Sequence, residues 1–291
     1  MNSESRLLPL CLTALLCTAV SANATTLIRA KGSDTMIHVA QIWAEAYEAQ
    51  ARDVAVSVGG GGSGTGFHAM LLGTVDLVNA SRRMGTEEAE RAQALGMNPV
   101  EHIVGYDALA VYLHKDNPLK SITYSQLAQI FGRGGEIRNW SDLGVEVPGC
   151  KGQEIVRVGR QSSSGTYVYF RSAIMKNQGR YDLGILDMLS SKDVVQMVEK
   201  TPCAIGYSGL AYATPRVNMA CVAEGETAAC VVPSIASASD KSYPIARPLF
   251  VYSKQAPIDE IKSYLDWILG NEGQCILKNT GYAPVRAVEC D

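Results

Sequence analysis

Three times between residues 27 and 83 a short apolar run ends in a turn rich in glycine, serine or arginine, and this rhythm narrows the possible folds more than any other feature. The first run, Leu27-Ile28-Arg29-Ala30, leads into Lys31-Gly32-Ser33-Asp34-Thr35. Met36, Ala40, Trp43 and Tyr47 then recur at i, i+4, i+7 and i+11, the spacing of one apolar helical face. Ser33 or Asp34 is the expected N-cap of that helix. Val54, Val56 and Val58 alternate as a second strand, followed by a loop with glycine at 59–62, 64 and 66, and by a short helix at 67–72. The third strand, residues 75–78, closes on Asn79-Ala80-Ser81-Arg82-Arg83. Strands alternating with helices imply an α/β fold with a mostly parallel sheet. Ligands bind such sheets at the carboxyl ends of the strands, where these turns lie.

Further along, residues 87–95 read as a polar helix and 103–113 as a long apolar strand that carries the chain out of one lobe into another. Helices are expected at 125–131, 193–200 and 258–269, a buried strand or turn at 204–207, a strand at 248–252, and a loop-rich stretch at 221–239. Between them the run Ile155-Val156-Arg157-Val158-Gly159 opens into Arg160-Gln161-Ser162-Ser163-Ser164-Gly165-Thr166, and an aromatic, helix-compatible segment follows. A helix N-terminus offers unpaired backbone N–H groups and partial positive charge. Arginine adds a planar fork of donors suited to an oxyanion. Alone, such a stretch is an ordinary capped helix start. Alongside the turns at 33–35, at Ser63 and at Ser81-Arg82, it becomes one of four sites of like chemistry at strand ends, and a shared oxyanion is the economical reading.

The chain of 291 residues is 47% hydrophobic and 19% charged, and its formal net charge is −3; no Lys/Arg-rich run suggests nucleic acid. Residues 1–24 read as a secretory signal peptide: Arg6, an apolar stretch at 7–20, then Ala22-Asn23-Ala24 as a small-x-small cleavage site. Leu10 and Leu16 precede Cys11 and Cys17, where a lipoprotein signal wants a small residue. A periplasmic protein starting near Thr25 is therefore expected. Beyond that point stand Cys150, Cys203, Cys221, Cys230, Cys275 and Cys290, an even set that favours disulfides in an exported chain. Short loops favour Cys221–Cys230 and Cys275–Cys290, which leaves Cys150 with Cys203. Zinc lacks support, with no C-x-x-C spacing and no nearby His pair.

Cofactor and catalytic motifs fail on their details. Gly59, Gly61 and Gly64 fit G-x-G-x-x-G after a strand, but the acidic residue expected about 20 positions later is missing, Asp76 coming too early. A P-loop needs Lys after its last glycine, and Gly64 is followed by Thr65. Ser63 and Ser164 do not sit in G-x-S-x-G, because Thr65 and Thr166 replace the final glycine. His38, His68, His102 and His114 are scattered without metal-site spacing. No cofactor, no metal and no catalytic set is expected. The glycine loop instead reads as a nest of backbone N–H groups.

Residues 32–36, 59–66, 76–82, 126–140, 160–166, 204–209 and 243–252 together resemble the periplasmic phosphate-binding proteins of high-affinity phosphate ABC transporters, and the likeness spans essentially the whole mature chain. The spacing of Arg160 to Ser164-Gly165-Thr166 is its most specific part. The resemblance implies a two-lobed, type II periplasmic binding protein: lobe one from residues 25–108 plus 248–291, lobe two from 109–247, joined by a two-stranded hinge. It implies phosphate ligands Ser33, Asp34, Thr35, Ser63, Ser81 and Arg82 from lobe one, and Arg160, Ser164, Gly165 and Thr166 from lobe two. It further implies a monomer that delivers phosphate to a membrane permease and is no enzyme. Some members carry Asp where Arg82 stands, accepting a proton from bound phosphate. Asp34 is then the expected acceptor here and Arg82 a second balancing charge. The competing readings are another oxyanion, such as sulfate or molybdate, and hydrolysis of phosphate esters.

Overall fold

The computed structural model describes residues 25–176 and 179–290. The expected signal peptide lies outside them. The first unit forms as the alternation requires. Strand β1 (Thr26–Gly32) is followed by α1 (Ile37–Gln50), β2 (Val54–Gly59), α2 (Ser63–Leu71), β3 (Leu77–Ala80) and α3 (Thr86–Ala94). Strands β2 and β3 flank β1 in parallel. Buried Met36, Val39, Trp43 and Tyr47 of the α1 region close one core over this sheet, and Phe67 and Met70 of α2 build another. The first helix is not capped by Ser33 or Asp34, contrary to expectation. Met36 occupies the N-cap position and supplies no side-chain bond. The turn that should have capped the helix is free for other partners.

Strand β4 (Val100–His114) then crosses from one lobe to the other. The second unit contains β5 (Ser121–Thr123), α4 (Tyr124–Phe131), β6 (Val156–Arg160), α5 (Gly165–Met175), β7 (Leu186–Met188), α6 (Ser191–Lys200), β8 (Ala204–Gly209), β9 (Val217–Ala223) and α7 (Ile235–Ser239). The chain returns along β10 (Ala246–Ser253) and ends with α8 (Asp259–Leu269) and α9 (Asn271–Asn279). Strands run β2-β1-β3-β10-β4-β8-β6-β7, with β9 paired to β4 and β5.

The sheet is parallel within each unit and antiparallel at its centre. There β10 pairs β3 and β4, and β4 pairs β8 and β9. The early part of β4 faces β10, up to Ala108↔Ala246, and from Leu109 onward it pairs β8. Two passages of the chain thus join two separately packed cores. The expected loop at 221–239 contains the end of β9 and all of α7, and α9 extends the closing helix region.

Three disulfides staple the fold: Cys150–Cys203, Cys221–Cys230 and Cys275–Cys290, the expected pairing. The Cys203 carbonyl also accepts the Trp140 indole N–H at 3.1 Å, so the first bridge anchors the 140–155 segment to the start of β8. A crosslink stabilises chiefly by restricting the unfolded chain, and more so the longer its loop. The loops here span 53, 15 and 9 residues. Replacing each pair by serine should therefore cost roughly 4, 3 and 2.5 kcal/mol in that order. Denaturant unfolding of the three double variants checks the ranking, and a costlier loss at Cys221–Cys230 than at Cys150–Cys203 contradicts it.

Candidate functional site

The strand ends of the first unit converge because their backbones meet closely. Gly32, at the end of β1, has φ of 147°, and a Cβ there would lie 2.1 Å from the Asn79 carbonyl oxygen of β3. Only glycine permits that approach. The Ser33 amide donates to the same carbonyl at 2.8 Å. Ser33 Oγ donates to Ser81 Oγ at 2.9 Å, and the Ser81 amide donates to Ser63 Oγ at 3.1 Å. The three serines, all buried, therefore form one cluster. Ser63 is the first residue of α2, whose N-cap is Gly62, so its hydroxyl is not spent on a cap.

The second unit brings the N-terminus of α5 against this cluster. Ser164 caps the helix by accepting the Thr166 amide at 3.2 Å. Gly165 leads the helix, and a Cβ on it would stand 2.4 Å from Ser63 Oγ and 2.6 Å from Ser81 Oγ. Thr166 Oγ1 lies 2.9 Å from Thr35 Oγ1. Backbone contacts cross the same seam. The Gly64 amide donates to the Ser163 carbonyl at 3.0 Å, and Ser163 Oγ donates to the Gly61 carbonyl at 3.1 Å.

Charge is handled by buried pairs. Arg160, at the end of β6, is wholly buried and donates from Nη2 to Asp34 Oδ2 at 2.9 Å across the seam. Its Nη1 bonds Ser191 Oγ at 2.9 Å, and Nη2 also reaches the Leu189 carbonyl at 3.0 Å. Burial lowers the Arg160 pKa, the Asp34 charge opposes this, and an arginine remains protonated at any physiological pH. Asp34 is doubly engaged, its other oxygen accepting the Gly61 amide at 2.8 Å. The Tyr212 hydroxyl donates to the Asp34 carbonyl at 2.7 Å, and the Tyr282 hydroxyl donates to that of Thr35.

Nine of the ten residues expected at the site, all but Arg82, thus meet at one seam. Arg82 turns aside. Its guanidinium makes two bonds of 2.7 Å to Glu88 and lies 5.0 Å from the Phe67 ring centre, without a hydrogen bond to the hydroxyl cluster. The second buried guanidinium at the seam is Arg247, which sequence reasoning missed. It pairs with Asp107 at 2.8 Å and reaches Thr166 Oγ1 at 3.0 Å and Thr35 Oγ1 at 3.3 Å. The available signal was modest: Asp107 is the only charged residue in the apolar run 103–113, and Arg247 directly precedes the strong strand at 248–252.

A family model described as a PBP superfamily domain matches residues 19–272. The "Phosphate-binding protein PstS" of Pseudomonas aeruginosa is 34% identical over 267 residues, covering 88% of this chain and 82% of that protein. The chain belongs to the phosphate-binding protein family of the PBP superfamily. "Protein SphX" of Synechococcus elongatus is 32% identical, with 90% of this chain and 78% of that protein covered. Among solved structures, a substrate-binding protein from Clostridium perfringens with bound phosphate is 26% identical and superposes with a TM-score of 0.77 over 90% of this chain and all of that one. A phosphate transport receptor from Vibrio cholerae, 23% identical, shares the fold with a TM-score of 0.70 over 88% of this chain and 99% of that one. The family architecture is the two-lobed type II arrangement described above. Members of this family are binding proteins of transport systems, not an enzyme family.

Gly165 offers a direct test of the seam. Gly165 is the first residue of α5 and does not have the positive φ that only glycine adopts readily, so alanine adds no backbone strain there and Gly165→Ala should leave the melting temperature of the protein close to that of wild type. Its methyl group would meet two serine hydroxyls of the other lobe, and the lobes should stay apart. Small-angle scattering should show a larger radius of gyration than for wild type under the same ligand-saturating conditions. An unchanged radius would show that the seam tolerates the methyl group.

Proposed function

We propose that this protein captures inorganic phosphate between its two lobes, outside the cytoplasmic membrane, and delivers it to the permease of an ABC transporter for uptake. The observation that carries this reading is the convergence of hydroxyls and a helix N-terminus from both lobes on one buried seam. Ser33, Thr35, Ser63 and Ser81 would donate from lobe one, and Ser164, Gly165 and Thr166 from lobe two. Such donors replace the hydration shell of a tetrahedral oxyanion without adding net charge. Arg160 would supply the fixed positive charge, held in place by Asp34 and Ser191. The relatives named for phosphate binding and the phosphate held by the Clostridium perfringens structure support this choice of ligand.

The lobes in this reading are residues 25–108 plus 248–291 and residues 109–247, and the change of β4 partner after Ala108 supports that boundary. Ligand stabilises the closed form by the difference between its affinities for closed and open states. Capture without turnover fits the chemistry of the seam. The hydroxyls bond one another, backbone groups and guanidinium groups, while His102 and His114 bond Ser253 and the Asp116 amide elsewhere. A signal peptide at 1–24, export to the periplasm and action as a monomer belong to the same proposal. Among the described residues no helix is long and apolar enough to cross a membrane.

One observation favours a second reading. Arg82, paired with Glu88, occupies the position where some family members place a proton-accepting Asp. A site lacking that carboxylate would accept sulfate or molybdate more readily. Calorimetric titration with phosphate, sulfate and molybdate separates the two readings, and the first expects phosphate to bind most tightly. Arg160→Ala should then weaken phosphate binding about a hundredfold or more, the scale of a lost charge-assisted bond in a buried site. Thermal melting of the same variant distinguishes lost binding from lost folding. An unchanged dissociation constant removes Arg160 from the site.

A further inference from the structure

The two hinge strands carry a charge pair of their own at the point where the lobes meet. Asp107 on β4 and Arg247 on β10 are register partners, and both are buried. Arg247 Nε and Nη2 donate to the same oxygen, Asp107 Oδ2, at 3.1 and 2.8 Å. Its Nη1 donates to the Ser81 carbonyl at 3.1 Å. Nη2 has two hydrogens yet lies within hydrogen-bond distance of three oxygens: Asp107 Oδ2, Thr35 Oγ1 and Thr166 Oγ1. This nitrogen can turn from a threonine hydroxyl to a ligand oxygen without leaving Asp107. Asp107 Oδ1 has no hydrogen-bond partner, although it is buried.

Resting on the phosphate reading above, we propose that Arg247 is a further ligand of the bound oxyanion, and that Asp107, acting through Arg247, is the positioning residue that selects its charge state by taking up a proton when a fully charged dianion enters. The charge balance gives the reason. Arg160 with Asp34 and Arg247 with Asp107 make a seam of zero net charge. A dianion would leave two uncompensated negative charges buried there, and an unpaired buried charge is expensive. Protonating one carboxylate halves that excess. Asp34 has both oxygens bonded, one to Arg160 and one to the Gly61 backbone amide, and so offers no free oxygen. Asp107 has an unpartnered oxygen to receive the proton.

Burial already raises the Asp107 pKa, with the charge of Arg247 and its hydrogen bonds pulling it back. The groups whose charges bear on Asp107 are Arg247 on β10, Tyr112 on β4, Tyr169 on α5, Tyr243 just before β10, Tyr212 after β8 and Tyr282 after α9. Burial pushes every one of these phenols upward, so they stay neutral. Arg247 is then the charged group facing Asp107 among the described residues. A bound dianion raises the Asp107 pKa further. Proton uptake on binding is largest between the free and bound values and vanishes below the free value. A ligand that brings its own proton, as phosphate can and sulfate at neutral pH cannot, avoids this requirement.

The test is isothermal calorimetry of wild type and Asp107→Asn with phosphate and with sulfate, each in two buffers of different ionisation enthalpy across a pH series. Wild-type phosphate binding, by itself, establishes the phosphate reading separately from this inference. The inference expects wild type to take up protons with sulfate and to lose sulfate affinity steeply as pH rises. Asp107→Asn should remove the ligand-linked uptake and bind sulfate at least tenfold tighter at the alkaline end of the series. Phosphate bound with wild-type proton uptake and an unchanged sulfate-to-phosphate ratio in Asp107→Asn overturns it. Arg247→Lys keeps the charge and loses the fork, and should weaken phosphate binding at least tenfold; equal affinity overturns the ligand role. Should Asp107→Asn fail to fold, infrared difference spectra of wild type with and without sulfate decide the same question. A protonated-carboxyl band appearing with sulfate supports uptake by a carboxyl group, and its absence overturns it.

Discussion

The contact between Arg160 and Asp34 is the constraint from which the rest of the site follows. It joins the end of β6 in one lobe to the first turn after β1 in the other, at 2.9 Å and without exposure of the guanidinium. A buried ion pair contributes little net stability, because desolvation offsets the Coulombic gain. Separating it while both partners remain dry is costly. The pair is therefore satisfied in the closed arrangement, or with both partners hydrated in an open one. Intermediate positions of the lobes are disfavoured, which makes closure close to a two-state event on which ligand can act. Ser191 and the Leu189 carbonyl fix the guanidinium from within its own lobe, and the Gly61 amide fixes the Asp34 carboxylate from within the other.

Closure also sets which residue types the seam accepts. Buried donors must find acceptors, and small hydroxyls do so at the least cost in side-chain entropy. Ser33, Ser63 and Ser81 bond one another, and the two threonines meet across the seam. The helix that supplies Gly165 approaches so closely that no side chain fits. Hydroxyls and backbone amides supply binding capacity without net charge. The four buried charges cancel in pairs, so the sign and protonation of the ligand matter more than its attraction to a cationic patch.

Much of this was legible in the sequence, for physical reasons that also explain the exceptions. Strand-turn-helix alternation is a local pattern, and β1 to α3 follow it. The Ser, Thr and Gly positions at the strand ends share one chemistry, so they could be grouped before any geometry was known. Strand β9, by contrast, is held by pairing with β4 and β5, and its sequence Val217–Ala223 lacks clean alternation. Helix α9 contains Gly273, which reads as a breaker. In the fold a Cβ there would meet the Ile268 carbonyl oxygen at 2.5 Å, so the glycine serves close packing on α8. Arg82 was grouped with the site by its neighbours Ala80 and Ser81, but Glu88, one turn into α3, holds its guanidinium away. Arg247 and Asp107 are 140 residues apart, and only their strand register reveals them as partners.

The covalent and non-covalent links divide along the same line. Cys150–Cys203 and Cys221–Cys230 lie in the β6–β9 unit, and Cys275–Cys290 ties α9 to the chain end beside the first unit. Among the described residues these bridges stay within the units, and the seam is crossed by hydrogen bonds and by the Arg160–Asp34 pair, with β4 and β10, which carry the Asp107–Arg247 pair, as the covalent passages. A disulfide across the seam would fix a single separation of the lobes and cancel any ligand-dependent equilibrium. Bridges within the units stiffen each body and leave the separation of the lobes to the seam contacts and to β4 and β10. The Asp107–Arg247 pair sits on those two strands, between the two bodies. A change in its charge state is therefore felt by both lobes at once, which a titrating group on either lobe's surface could not achieve.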